Sequence, residues 1–214
     1  NDGYDYDSVQ IPVLADIAWQ GRPAKVMMWA NRNGYFYVLD RVTGRFLLGE
    51  PFVKVNWASG LDPNGRPIQT PQPPGMPTWP GNQGGTNWYP PSFSPRTGLF
   101  YFSVWENYAT IYRREEQEYV PGRNFLGGGF TVVTPAPGAP TIGIGRRGPI
   151  NNWTNEVGSG ATVALDPRTG KRVWTFPQFD VTDAGMLTTA SDLLFTGGRE
   201  GYFYALDAKT GKEL

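Results

Sequence analysis

Two carboxylates stand two residues apart near the start of the chain, Asp5 and Asp7 in Gly3-Tyr4-Asp5-Tyr6-Asp7-Ser8. In an extended segment, side chains at i and i+2 project to the same side. Carboxylates that close repel unless a cation or a proton lies between them. The pattern suits a general base beside a metal ligand; the other reading is a solvated acidic loop. Composition narrows the metal. The chain has no Cys and no His. Within this segment that excludes zinc sites of the usual kind, Cys–His nucleophiles and Ser–His triads. Any metal must be held by oxygen, which selects a hard cation.

Three further stretches could carry chemistry. Asn31-Arg32-Asn33-Gly34 joins two strongly patterned strands. An arginine at a strand end offers a fixed fork of donors to an anion or a carbonyl, or is simply a surface residue of a turn. In Gly84-Gly85-Thr86-Asn87-Trp88 the glycines let backbone approach a ligand closely. Asn87 adds amide hydrogen bonds and Trp88 a large flat surface, unless the tryptophan belongs to the core. Asp183-Ala184-Gly185-Met186-Leu187-Thr188-Thr189-Ala190 reads as a strand entering the centre of the fold, a structural role.

A repeated phrase supplies the scaffold. It occurs at Gly34–Arg45, Gly160–Lys171 and Gly201–Lys212, each ending in Asp, three residues, Gly and a base. Alternating aromatic and aliphatic residues over 35–39 predict a half-buried strand. Asp40, Asp166 and Asp207 end their strands, and Gly44, Gly170 and Gly211 supply positive φ in the turns. The last two copies are 41 residues apart, the length of a four-stranded propeller blade. The first two are 126 apart, about three such periods, so the intervening units are expected to be degenerate or broken by insertions. Ser94–Phe102 reads as one such degenerate strand–turn–strand piece. The fold class is all-β, a partial β-propeller of about three to four blades forming one domain over 1–214.

Gly/Pro-rich stretches at 62–85, with seven prolines, and at 121–150 read as insertion loops. Neither suits a helix or a central strand. Net charge is zero with no long charge run, which argues against nucleic acid. No apolar run is long enough to span a membrane. The chain is expected to be an internal stretch of a longer protein.

Together the Asp5 segment, Asn31–Arg41, Gly84–Trp88 and the phrase from Ala164 to Trp174 resemble the pyrroloquinoline quinone (PQQ)-dependent alcohol dehydrogenases, the methanol/ethanol family of quinoproteins. The resemblance implies an eight-bladed propeller with PQQ and a metal on its axis. It implies oxidation of a primary alcohol to an aldehyde, a cytochrome c as electron acceptor and a periplasmic location. By position, Asp5 matches the family's catalytic base and Arg32 the cation that hydrogen-bonds the reactive quinone carbonyl. Asn87 and Trp88 match residues touching the cofactor from another blade. The family's other metal ligands, a Glu and an Asn, should lie before residue 1. Asp7 takes the position where the lanthanide-dependent branch carries Asp and calcium-dependent relatives a small uncharged residue. An added negative oxygen favours a trivalent ion over Ca²⁺ by Coulomb's law. The metal is therefore expected to be a lanthanide held in part by Asp5 and Asp7, with Ca²⁺ as the alternative. The main rival is a non-catalytic propeller of the same repeat that binds proteins. Homodimer formation stays open.

Overall fold

Each copy of the repeated phrase forms the third strand of a sheet and the turn leading to a fourth. The computed structural model describes residues 3–125, 127–131, 159–178, 182–199 and 201–214, so most of the 121–150 stretch lies outside the described residues. β1 (Val13–Trp19), β2 (Arg22–Ala30), β3 (Tyr35–Asp40) and β4 (Phe46–Pro51) make one antiparallel meander. The β5–β6 hairpin (Ala58–Leu61, Pro67–Gln69) follows. The second four-stranded sheet has the order β12-β11-β8-β7, from β7 (Ser92–Ser94), β8 (Leu99–Glu106), β11 (Ser159–Leu165) and β12 (Arg172–Gln178). A second hairpin, β9 (Ile111–Arg114) with β10 (Gly128–Thr131), lies between β8 and β11 in sequence. The third sheet holds β13 (Leu187–Thr188), β14 (Leu193–Gly197) and β15 (Phe203–Asp207), with a bridge from Leu206 to Glu213.

These sheets stack as consecutive propeller blades. β8 is buried on both faces, which explains its nearly unbroken apolar sequence. Phe100, Phe102 and Val104 pack with Val26, Met28, Phe36 and Val38 of the first sheet. Leu99 and Tyr101 turn the other way, onto Leu194, Leu206 and Ala208 of the third. The first and second copies of the phrase are thus in neighbouring blades, and no whole sheet separates them among the described residues. Their 126-residue spacing comes from insertions. Ser94–Phe102 is not a separate degenerate unit. It supplies the first two strands of the blade that carries the second copy.

The turns of the phrase lock one blade to the next. Trp174 Nε1 donates to the Ala208 carbonyl at 3.1 Å, and the Tyr101 hydroxyl donates to the same oxygen at 2.9 Å. Gly211, at φ 73°, lies against the Trp174 ring, where an added Cβ would come within 2.6 Å of Cε3. Gly170 meets Leu48 and Glu50 of the first sheet in the same way, a Cβ there falling 2.7 Å from Glu50 Cβ.

Two outcomes follow from this packing. Gly211→Ala adds a ring clash to the left-handed backbone penalty and is expected to cost about 2–3 kcal/mol in urea unfolding of the full-length protein. In a Trp174→Ala background the same change should cost only about 1 kcal/mol, the backbone part alone. Equal costs in both backgrounds would contradict the ring contact.

The turn carboxylates set an acid limit. Hydrogen bonds from Thr43 and Val42 N–H lower the Asp40 pKa; an Arg168 side-chain bond lowers that of Asp166, and a Thr210 bond that of Asp207. Hydrogen bonds from Arg96 and Lys209 hold Asp192 further below the ordinary carboxylate range. With folded-state values below the unfolded ones, these groups stabilise in full above about pH 4. The contribution is lost as pH falls through the lowered values. Calorimetric Tm should therefore drop between pH 5 and pH 2, and drop less in Asp192→Asn than in the parent.

Candidate active site

Burial explains how the first acidic segment is held. Tyr4 and Tyr6 are buried among Tyr35, Trp57 and Ala58, and the alternation turns Asp5 and Asp7 outward. The Tyr112 hydroxyl donates to the Tyr4 carbonyl at 2.7 Å, and the Tyr6 hydroxyl donates to the Pro80 carbonyl. The segment is not plainly extended, as the i, i+2 reading assumed. Asp5 has φ 61°, a left-handed conformation that costs a non-glycine residue energy and needs support from its surroundings. Asp5 and Asp7 nevertheless share the exposed side because the two tyrosines anchor the other.

Arg32 lies behind Asp5. It sits in the tight β2–β3 turn, closed by Gly34 N–H to the Asn31 carbonyl at 3.0 Å and Asn31 N–H to the Tyr35 carbonyl at 2.9 Å. Its backbone N–H donates to Gln10 Oε1 at 3.1 Å, and the Gln10 carbonyl accepts from Trp29 Nε1 at 2.9 Å. Asn31 Nδ2 donates to Ser8 Oγ at 2.8 Å. Arg32 Nε and Nη2 both donate to the Asn82 carbonyl. Nη2 also stands 3.5 Å from Asp5 Oδ2, with the Arg32 side chain 11% exposed and that of Asp5 56% exposed. That separation is an ion pair longer than a charge-assisted hydrogen bond of about 2.7–2.9 Å. The carboxylate is oriented by a pinned guanidinium while its face stays open. Nearby, burial pushes the Tyr37 hydroxyl up to about 12, so it remains a neutral phenol accepting from Asn33 Nδ2 at 3.0 Å.

The Gly84-Gly85 turn joins this pair to the second blade. Gly85 N–H donates to the Arg32 carbonyl at 3.0 Å, and Trp105 N–H donates to the Gly85 carbonyl at 2.8 Å. Gly84, at φ 85°, packs directly on Arg32; a Cβ would fall 2.2 Å from Arg32 Cγ. Asn87 is buried, donating from Nδ2 to the Gln83 carbonyl at 2.9 Å and accepting the Trp88 N–H at Oδ1 at 2.9 Å. Trp88 is 51% exposed, so it is a surface ring and not a core residue. Tyr89 follows at 5.0 Å from Trp88 and 6.2 Å from the fully buried Trp105.

The structure thus brings Asp5 and Arg32 into direct contact. It ties Asn87 and Trp88 to them through the double glycine, and it puts Asp7 on the exposed side next to Asp5. Among the described residues no group of three or more His, Cys, Asp or Glu converges on one point. Asp5 and Asp7 fit a hard cation as two oxygen donors of a larger set. Sequence reasoning missed Ser8, Gln10 and Asn82, which hold the Arg32 turn. Their signal is weak, since two of the three act on Arg32 through backbone groups or at its backbone. The 183–190 stretch is not one continuous strand: only Leu187–Thr188 pairs there, and Asp183 forms an ion pair with Arg199.

The chain has relatives among known proteins. Residues 1–56, which include Asp5, Asp7 and Arg32, match the family described as glucose/ethanol/alcohol dehydrogenase, beta-propeller domain. Residues 159–214 match the family described as outer membrane protein assembly factor BamB. The whole chain is 37% identical to the quinoprotein alcohol dehydrogenase PedH of Pseudomonas putida, covering 35% of that protein. It is 35% identical to the 1-butanol dehydrogenase (cytochrome c) of Thauera butanivorans, covering 30% of it. Over its whole length the chain is similar to quinoprotein alcohol dehydrogenases. It spans about a third of the length of the relatives it matches. A solved europium-containing methanol dehydrogenase superposes with a TM-score of 0.82 at 32% identity, over 99% of this chain and 35% of that one. The quinoprotein fold is therefore shared across the three stacked sheets, including the blades that carry Asp5, Arg32, Asn87 and Trp88.

The contact between the double glycine and Arg32 is testable. In Gly84→Ala the new Cβ would also lie 2.6 Å from the Arg32 carbonyl oxygen and 2.7 Å from that of Thr86. Backbone oxygens yield less readily than side-chain tips, so urea unfolding should show a loss of about 3 kcal/mol. A loss below about 1 kcal/mol would contradict the close packing of the two turns.

Proposed function

We propose that the full-length protein oxidises a primary alcohol to the aldehyde with PQQ as cofactor, a metal ion beside it and a cytochrome c as electron acceptor. The observation that carries this reading is the outward Asp5 carboxylate with the pinned Arg32 guanidinium 3.5 Å behind it. Ionised Asp5 takes the hydroxyl proton of an alcohol lying within hydrogen-bond reach. Arg32, fixed by the Asn82 carbonyl, directs N–H groups to the place where negative charge develops. Asn87 holds the segment that presents Trp88, whose exposed ring is a flat apolar surface for the cofactor or the alcohol. PQQ, when bound with its metal, supplies the hydride acceptor and the charge withdrawal that no side chain of this segment provides.

The metal would be held in part by Asp5 and Asp7. Two adjacent carboxylates favour a trivalent ion, and the likeness to a europium-containing methanol dehydrogenase supports a lanthanide over Ca²⁺. Similarity to the 1-butanol dehydrogenase (cytochrome c) of Thauera butanivorans supports cytochrome c as acceptor. A periplasmic location follows from the family resemblance alone.

The assembly-factor match bears on the rival scaffold reading. It covers 159–214, the part that carries two copies of the repeat and none of Asp5, Asp7, Arg32, Asn87 or Trp88. A scaffold needs the repeat but not these residues, so their presence favours the enzyme.

Cytochrome c reduction by the purified full-length protein loaded with PQQ and La³⁺ tests the proposal. Asp5→Ala should lower kcat by about 10²–10⁴-fold, the usual worth of a general base. Asp7→Ala should abolish La³⁺-supported turnover. Unchanged turnover in Asp5→Ala would remove the assigned base, and unchanged La³⁺ activity in Asp7→Ala would remove the lanthanide assignment.

A further inference from the structure

The third blade repeats the Arg–Asp arrangement of the first. Gly198, Arg199, Gly201 and Tyr202 lie between β14 and β15 as Asn31, Arg32, Gly34 and Tyr35 lie between β2 and β3. The closing hydrogen bonds correspond: Gly198 N–H to the Tyr202 carbonyl at 3.0 Å and Gly201 N–H to the Gly198 carbonyl at 3.1 Å. Gly201 at φ 92° matches Gly34 at φ 94°. Arg199 is therefore the structural counterpart of Arg32. Its acid partner, Asp183, precedes the first strand of its blade as Asp5 precedes β1. Nε and Nη2 of Arg199 reach Asp183 at 2.7–3.2 Å.

Both pairs lie at the same end of the stacked sheets, and Trp105 connects them. Its backbone N–H is bound to the Gly85 carbonyl, and Gly85 N–H to the Arg32 carbonyl. On its other side, Trp105 Nε1 donates to the Thr182 carbonyl at 3.4 Å, and the Arg199 guanidinium lies 5.8 Å from the ring centroid. Asp183 is rigidly flanked. Thr182 Oγ1 donates to the Gly197 carbonyl at 2.6 Å and accepts Ala184 N–H at 3.0 Å, while Ser103 Oγ donates to the Ala184 carbonyl at 3.1 Å.

As in the first pair, the carboxylate is the exposed partner: the Asp183 side chain is 37% exposed and that of Arg199 14%. A carboxylate offers about four lone-pair sites, and the Arg199 contacts use at most three. The pair is neutral as a unit. A ligand ammonium would meet the guanidinium, and a ligand carboxylate would meet Asp183. A neutral hydroxyl donor suits both.

We infer that Asp183, positioned by Arg199, is a specificity-determining acceptor for a second hydroxyl group on the alcohol substrate, so that the enzyme favours diols over simple alkanols. This rests on the proposed alcohol oxidation, which places substrate at the Asp5–Arg32 rim.

The test compares α,ω-diols from 1,3-propanediol to 1,8-octanediol with the matching 1-alkanols on the full-length, PQQ- and metal-loaded protein. In the parent, kcat/KM should favour the diol by about tenfold for at least one chain length, the worth of one hydrogen bond to a charged group. Asp183→Leu/Arg199→Met, which removes both charges together, should abolish that preference through KM while leaving 1-alkanol turnover in place. Asp183→Asn, which keeps an acceptor oxygen, should retain part of it. A purely structural role would lower diol and alkanol turnover alike, and that outcome, or an unchanged ratio, overturns the inference. Calorimetric binding of the same diols separates this inference from the enzyme assignment. If no alcohol is oxidised, the proposed activity falls. Diol binding weakened about tenfold by the double variant then still upholds the Asp183 assignment, and equal binding overturns it.

Discussion

A short backbone relay holds the Arg32 turn of the first blade to the second. The Arg32 carbonyl accepts from Gly85, and the Gly85 carbonyl accepts from Trp105. Two glycines are required because the turn lies directly on Arg32 on one side and against Val53 and Phe52 on the other. Through this relay the turn of the first blade, the entry to the second and the buried end of β8 become one unit. Arg32 then points at Asp5 with little freedom, since both its backbone and its side chain are tied to groups outside its own sheet. Preorganised donors of this kind stabilise developing charge without reorganising during reaction.

The rest of the architecture serves that rigidity. The middle sheet is buried on both faces, so its register is fixed by two independent sets of side chains. The phrase turns then couple blade to blade, with Trp174 on Gly211 and Leu48 with Glu50 on Gly170. The same element, a tight turn closed by glycine, is used at both ends of the blades. At one end it is structural, and at the other it carries Arg32 and Arg199.

Much of the fold was legible in the sequence because the phrase repeats strand and turn chemistry together. The Asp carboxylates do accept the turn N–H groups, as at Asp207 with Lys209 and Thr210 N–H, both at 2.9 Å. Blade adjacency was not legible: the 126-residue gap looks like missing units, and only the packing of Phe100 and Phe102 on the first sheet shows insertions instead. At the site, residue type and spacing singled out Asp5, Arg32, Asn87 and Trp88. The left-handed Asp5 backbone was hidden, because Asp gives little sign of φ from sequence. Arg199 could have been found by aligning Gly198–Gly201 with Asn31–Gly34, but neither the phrase nor the strand pattern extends that far towards the N-terminus. Asp183 is recognised only once Arg199 is seen to reach it.

The proposed function puts metal and quinone at the outward face of the Asp5–Arg32 pair. Anomalous diffraction from crystals of the full-length protein loaded with PQQ and a lanthanide tests it most directly. The expected result is an anomalous peak within coordination distance of the Asp5 and Asp7 carboxylates, about 2.3–2.6 Å for a large hard cation, with the Arg32 guanidinium hydrogen-bonded to the quinone. A metal and quinone bound away from Asp5 and Arg32 would contradict it.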